Sequence, residues 1–295
     1  MNHPLCTRGF AAWLKPAVVP MAALCLTLVM VSQPLADESN LPTYLRDRGE
    51  GIPTSLFGTY VQNKELLLYL FYEYTVNSDK EYKPSELGFV GSQDYRAKRT
   101  ETEGLAFLSY GFSENWAVEL ESALYGKVTQ HKATNDPSAM PQELSESGLG
   151  DTQAELRWRW SKETARRPEL FSYFETVFPL QKDKVLLGTQ DWEFILGLGL
   201  IKGGSWGTLL GRASAVQVPD ANIEVDELSL EYLKRFSPSL RGDLAVEGAQ
   251  DEWALIAEAQ WFLKPNLFVK LNNGFGLTDK APDLAPEVGV VFTFR

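Results

Sequence analysis

Acidic and basic side chains fall on alternate positions of segments whose other positions are apolar. Gln153, Glu155, Arg157 and Arg159 interleave with Ala154, Leu156, Trp158 and Trp160. Glu252, Glu258 and Gln260 interleave in the same way with Trp253, Leu255, Ala257, Ala259, Trp261 and Leu263. Carried along the chain, this parity collects Glu101, Glu103, Glu119, Glu121, Glu155, Arg157, Arg159, Glu175, Glu193, Glu231, Arg235, Arg241, Asp243, Glu247, Glu252, Glu258 and Lys270 on one side. Carboxylates and guanidiniums held so can pair, hold water or screen a passing solute by charge. We take Glu119, Glu121, Glu155, Arg157, Arg159, Glu175, Arg241, Asp243 and Glu258 as the candidate lumen lining, with the Glu119, Glu121, Arg157, Arg159 and Glu175 group as the expected constriction. Acids outnumber bases, so an open path would favour cations or neutral solutes over anions. The same residues would serve equally as an ion-pair lattice that fills and stiffens a closed structure, and the sequence leaves both readings open.

Other chemistry is scarce. His131 is the one histidine beyond residue 36 and sits among Thr129, Gln130 and Lys132 in a segment read as a long polar loop. A lipid hydrolase of barrel fold needs a His–Ser pair held rigidly, which such a loop does not provide, so no catalytic residue is assigned. No Cys/His set, phosphate loop or dinucleotide fingerprint is present, and neither metal nor cofactor is expected. With 28 Lys and Arg against 39 acids, a net charge of −11, nucleic acid is excluded as a partner.

The elements that would position these charges have period two. Strands are expected at 64–76, 99–110, 116–127, 151–160, 170–178, 192–201, 206–216, 226–236, 240–247, 252–263, 267–275 and 285–294. The faces of the seventh are left unassigned, because Arg212 shares the parity of Trp206. Beyond residue 36 the longest apolar run, 194–201, is far too short for a membrane helix. A membrane-embedded chain must then close its strands into a barrel, where every backbone group finds a partner. The joins after odd-numbered strands run about 22, 20, 13, 9, 4 and 9 residues, and those after even-numbered strands about 5, 9, 4, 3 and 3, the sorting of outer loops from periplasmic turns. The expected fold is all-β: a transmembrane antiparallel up-and-down β-barrel of about twelve strands with both termini periplasmic.

The two ends of the chain agree. Arg8 and Lys15 precede an apolar stretch, 17–31, that suits a secretory signal, with cleavage expected after Ala36. Cys6 and Cys25 both lie within the segment so removed, and Ala22-Ala23-Leu24 before Cys25 makes a poor lipoprotein box. Its removal leaves 259 residues at a net charge of about −13. At the other end Pro286, Val288, Val290, Phe292 and Phe294 alternate with Glu287, Gly289, Val291 and Thr293. That is the reading of a closing strand presented to barrel-assembly machinery, although Arg295 replaces the usual terminal aromatic. The expected organisation is a signal peptide at 1–36, an N-terminal periplasmic segment at 37–63 forming a short helix, a lumen insert or a flexible leader, and an outer-membrane barrel at 64–295. Expected partners are outer-membrane lipid and lipopolysaccharide, the assembly machinery and a small-molecule solute.

Ser147-Gly148-Leu149-Gly150-Asp151 leads into the amphipathic strand, and Tyr110-Gly111-Phe112-Ser113-Glu114-Asn115-Trp116 forms a tight hairpin before it. In these motifs the chain resembles the outer-membrane family associated with the meta-cleavage pathway of phenol degradation. That resemblance implies a channel or transporter, with apolar or aromatic compounds as the solute class. Read as residues, Gly148 and Gly150 permit a sharp approach to the strand and Asp151 can bond local backbone, which shapes a loop without touching solute. The function expected is passage of a small molecule across the outer membrane by facilitated diffusion. A non-conducting structural or adhesive barrel is the alternative, and a lipid-modifying enzyme comes after it.

Overall fold

The computed structural model describes residues 40–219 and 221–295. The expected signal peptide and the start of the following segment, to residue 39, lie outside the described residues. Two short strands, β1 (Ile52–Pro53) and β2 (Tyr60–Val61), pair with each other as a hairpin. The wall consists of β3 (Leu66–Tyr82), β4 (Tyr95–Gly111), β5 (Trp116–His131), β6 (Glu143–Gly148), β7 (Thr152–Ser161), β8 (Glu169–Phe178), β9 (Glu193–Gly204), β10 (Gly207–Gln217), β11 (Glu224–Ser237), β12 (Leu240–Ala249), β13 (Glu252–Lys264), β14 (Leu267–Gly276) and β15 (Leu284–Phe294). Both β6 and β7 pair with β5, so they act as one interrupted strand. All neighbours are antiparallel, and β15 returns to β3 with Phe294 opposite Leu66 and Val290 opposite Leu70. The result is a closed, twelve-stranded antiparallel barrel. No helix among the described residues is long and apolar enough to cross a membrane.

Alternation along each strand separates two surfaces. On β7 Glu155, Arg157 and Arg159 are buried, while Leu156, Trp158 and Trp160 are exposed. The outward face carries leucine at mid-height and aromatics at both ends, as a lipid-facing band requires. Trp116 stacks on Trp158 at a centroid distance of 5.3 Å near one rim, and Trp192 stacks on Phe194 at 6.2 Å near the other. Connections 83–94, 132–142, 179–192, 218–223, 250–251 and 277–283 lie at one end. The mostly shorter 112–115, 162–168, 205–206, 238–239 and 265–266 lie at the other, together with the start of β3 and the end of β15; the two-residue turn 250–251 is the exception among the long set.

Where the structure departs from expectation, local pattern is the cause. Strands β3 to β6 continue past the apolar band, pairing Tyr82 with Tyr95 and His131 with Glu143, so the first two long connections are shorter than expected. The outward residues of these extensions are polar, and the few inward apolar ones, Tyr82, Tyr95, Ala97 and Val128, pack against Leu87, Leu186 and Leu187 of the connections. His131 therefore ends β5 rather than lying in a loop; its Nδ1 is 3.9 Å from Glu143 Oε2. Trp206 belongs to a turn, and Gly207 at φ +141 resets the chain, so Thr208, Arg212 and Ser214 face inward independently of Trp206. Glu252 opens β13 at the rim and lies 3.5 Å from Lys80 with its side chain 51% exposed, outside the lumen.

Candidate functional site

The lumen is not an empty tube. The hairpin β1–β2 crosses it, with Ile52 and Val61 buried against Leu67, Tyr69, Phe107 and Phe268 of the wall. Its turn closes through the Thr54 N–H on the Thr59 carbonyl at 2.9 Å. Residues 55–58 form the tip, where Gly58 adopts φ +58. A Cβ there would stand 2.4 Å from Gln260 Nε2 and 3.0 Å from Asp243 Oδ2, so the position needs glycine for both conformation and space.

Wall charges converge on this tip from opposite sides. On one side Arg157 spans Glu155 and Glu119, with Glu119 Oε2 at 3.3 Å, and donates to the Pro53 carbonyl at 3.1 Å. Glu119 in turn accepts the Ser55 N–H at 2.9 Å. On the other side Glu231 accepts the Gly58 N–H at 2.9 Å, and Arg241 donates to the Gly58 carbonyl at 2.5 Å. Lys270 donates to the Phe57 carbonyl at 3.2 Å and pairs with Glu258 at 3.0 Å. Arg212 donates to the Ser55 carbonyl at 2.7 Å with its guanidinium 4.5 Å from the Phe57 ring centroid. A hydrogen bond to a charged group contributes about 1.5–3 kcal/mol, and removing one partner strands a buried charge at greater cost.

Nearer the short-turn rim a second layer ties down the approach to the hairpin. Arg48 pairs with Glu169 at 2.9 Å and Glu163 at 3.3 Å. Arg159 donates to the Gly51 carbonyl at 2.7 Å, and Asp47 accepts the Arg235 N–H at 2.9 Å. The hairpin thus separates two spaces. One, of 350 Å³, lies toward the long connections and carries Asp151, Glu155, Glu175, Glu193, Asp226, Glu227 and Glu247 on its wall, with Phe57, Tyr173, Val177 and Ile195 as its apolar part. The other, of 640 Å³, lies toward the short turns and is lined by Arg48, Tyr60, Arg241, Phe262, Phe268 and Phe294 among others.

Of the candidate lumen residues, Glu119, Glu155 and Arg157 meet at Ser55 and Pro53, and Arg241, Asp243 and Glu258 meet on the opposite wall around Gly58. Arg159 belongs to the lower layer. Glu175 lines the smaller cavity, and Glu121 lies half-buried beyond Glu119. The groups close on a protein segment between them, not on a ring around an open axis. Arg212 and Gln260, both buried and both touching the hairpin, were not singled out from the sequence. The parity of Trp206 hides Arg212; apolar Ile52, Leu56 and Phe57 ahead of Gly58 and Tyr60-Val61 are the signal of the hairpin in the sequence.

The Gly148–Asp151 element is the interruption between β6 and β7. A Cβ on Gly150 would meet Ala123 Cβ at 2.6 Å and Glu103 Oε1 at 2.8 Å. Asp151 Oδ1 accepts the Thr189 N–H at 2.5 Å, so its partner is the connection 179–192 instead of its own neighbours. Glu146 accepts N–H groups of Val185, Leu186 and Leu187 at 3.2, 2.9 and 3.2 Å, folding that connection against the interruption.

The chain matches no protein-family model and no curated protein sequence. Among solved structures it is similar to an outer membrane channel from Pseudomonas putida F1, at 13% identity and a TM-score of 0.58, over 82% of this chain and 100% of that one. It is also similar, at 8% identity and a TM-score of 0.48, to the KdgM porin in complex with oligogalacturonate, over 77% of this chain and 99% of that one. The first of these likenesses is one of fold: the same barrel architecture, carried by a largely different sequence.

Proposed function

We propose that this protein is an outer-membrane channel for small molecules, apolar or aromatic compounds among them, whose path is closed at rest by its own hairpin. The observation that carries the reading is the pair of cavities, 350 and 640 Å³, separated by the β1–β2 hairpin. A wall built for structure alone has no need of open space on both sides of the hairpin. The long connections would face outward and both termini the periplasm, after export on a cleavable signal and insertion by barrel-assembly machinery among phospholipid and lipopolysaccharide. Facilitated diffusion needs neither cofactor nor catalytic residue; it needs weak interactions along a path.

The polar clamp on the hairpin favours a second reading, a non-conducting barrel stiffened by its ion pairs. Planar-bilayer recordings separate the two. Brief, low-conductance openings of the unmodified protein, converted to sustained ones when the side chains that hold the hairpin are replaced, support the channel. Silence in both forms overturns it.

A further inference from the structure

The outward face of β4, β5 and β6 changes character above the aromatic level. Gly104 lies between Tyr72 of β3 and Tyr125 of β5; Tyr125 marks the upper edge of the apolar band on β5, and Tyr74, beside Thr102, marks it on β3. One row higher, Lys127 stands between Thr102 and Ser147; in the next, Thr129 stands between Thr100 and Ser145. Lys98 and His131 follow, one residue beyond the Arg99–Gln130 pair. Alternating burial, with Gly126, Val128 and Gln130 inward, confirms that the Lys127, Thr129 and His131 row points out.

Two features of this face need an explanation. Lys98 and Lys127 are exposed and make no hydrogen bond or ion pair among the described residues, in a chain of net charge −11. The acid of the grid, Glu143, stands at its top edge beside His131 at 3.9 Å. On the β3 side Arg96 is already engaged by Asp79 at 2.8 Å, which closes the patch there. Between the lysines lie hydroxyls, two of which, Thr129 Oγ1 and Ser145 Oγ, are 3.1 Å apart. Ammoniums just above an aromatic girdle sit at head-group depth, where anionic lipid attracts them. Lys98 is four residues along β4 from Thr102, the partner of Lys127, so the two stand about 13 Å apart along the strand direction. That spacing suits two phosphates at the ends of one disaccharide.

We infer that this face binds a phosphorylated glycolipid of the outer leaflet, Lys98 and Lys127 taking the phosphates and Thr100, Thr102, Thr129 and Ser145 the sugar hydroxyls. The inference rests on the proposed orientation, with the long connections outside. In neutral detergent the purified barrel should bind bis-phosphorylated lipid A at least about tenfold more tightly than the same lipid stripped of phosphate. The double variant Lys98→Gln/Lys127→Gln should lose that preference while keeping its heat-modifiable fold. Equal binding by variant and unmodified protein, or indifference of the latter to phosphate, overturns the site and leaves the channel reading standing. Orientation has its own readout: Thr129→Cys supplies a single thiol once the segment holding Cys6 and Cys25 is gone, and an impermeant maleimide should label it on intact cells. Labelling only after lysis would overturn both the lipid site and the orientation.

Discussion

Single residues in this barrel are constrained by which surface they occupy. Leu156 faces outward and is 41% exposed to the lipid side, whereas Gln153, three residues back, lines the smaller cavity. Leu156→Arg should therefore destabilise the folded barrel by about 2–4 kcal/mol, and Gln153→Arg should be nearly neutral. Urea titration of both variants in lipid vesicles measures the difference, and equal losses would mean that the β7 register is slipped by one. Gly58 is constrained differently, by the hairpin it caps. Gly58→Ala forces a left-handed backbone on a residue with a Cβ that meets Gln260 and Asp243. A cost of about 1–3 kcal/mol is expected, but local: the hairpin should protect its amides less from hydrogen exchange while the wall strands stay unchanged.

At the level of elements, the hairpin joins the wall through apolar packing at Ile52 and Val61 and through polar interactions along 51–58. Arg157 and Arg159 hold the carbonyls of Pro53 and Gly51 from one side, and they also neutralise Glu119, Glu155 and Glu169. Replacing both with Gln removes two of the hairpin's anchors and leaves Glu119 and Glu155 without their counter-charge. Single-channel conductance should rise in this double variant, because the hairpin loses its grip at Gly51 and Pro53 and is then held mainly at its tip by Arg212, Arg241 and Lys270. A charged lattice holds a segment reversibly in a way that a packed apolar core does not: each hydrogen bond that the hairpin gives up can be taken over by water entering from the adjoining cavities.

For the whole molecule, the distribution of charge matters more than any one pair. The cavity on the long-connection side is bordered by seven acids and two guanidiniums, Arg157 and Arg212, both already committed to the hairpin or to neighbouring acids. A conducting form should pass cations and neutral solutes in preference to anions, and reversal potentials in a salt gradient give the sign directly. Anion selectivity would be incompatible with this lining. Closure of twelve strands also fixes how the protein behaves outside the bilayer. Cell fractions should yield it with the outer membrane, running faster on gels before boiling than after, and recovery as a soluble periplasmic protein would end the membrane reading.

The wall is legible along the chain. Period-two alternation is a local property, so twelve strands and, for all but the seventh, their two faces could be read from neighbours two residues apart. It went astray where locality fails: at the extensions of β3 to β6, whose few inward apolar residues pack on connections distant in sequence, and at Trp206, where one glycine resets parity. Tertiary structure alone decided what the inward charges do. Glu119 and Arg157 stand about half a circumference from Arg241 and Glu258, and nothing in their spacing says that both sets reach the same short hairpin, 53–58. That meeting depends on closure of β15 onto β3 and on a hairpin passing through the ring so formed. Both are long-range events, invisible to a pattern read along the chain.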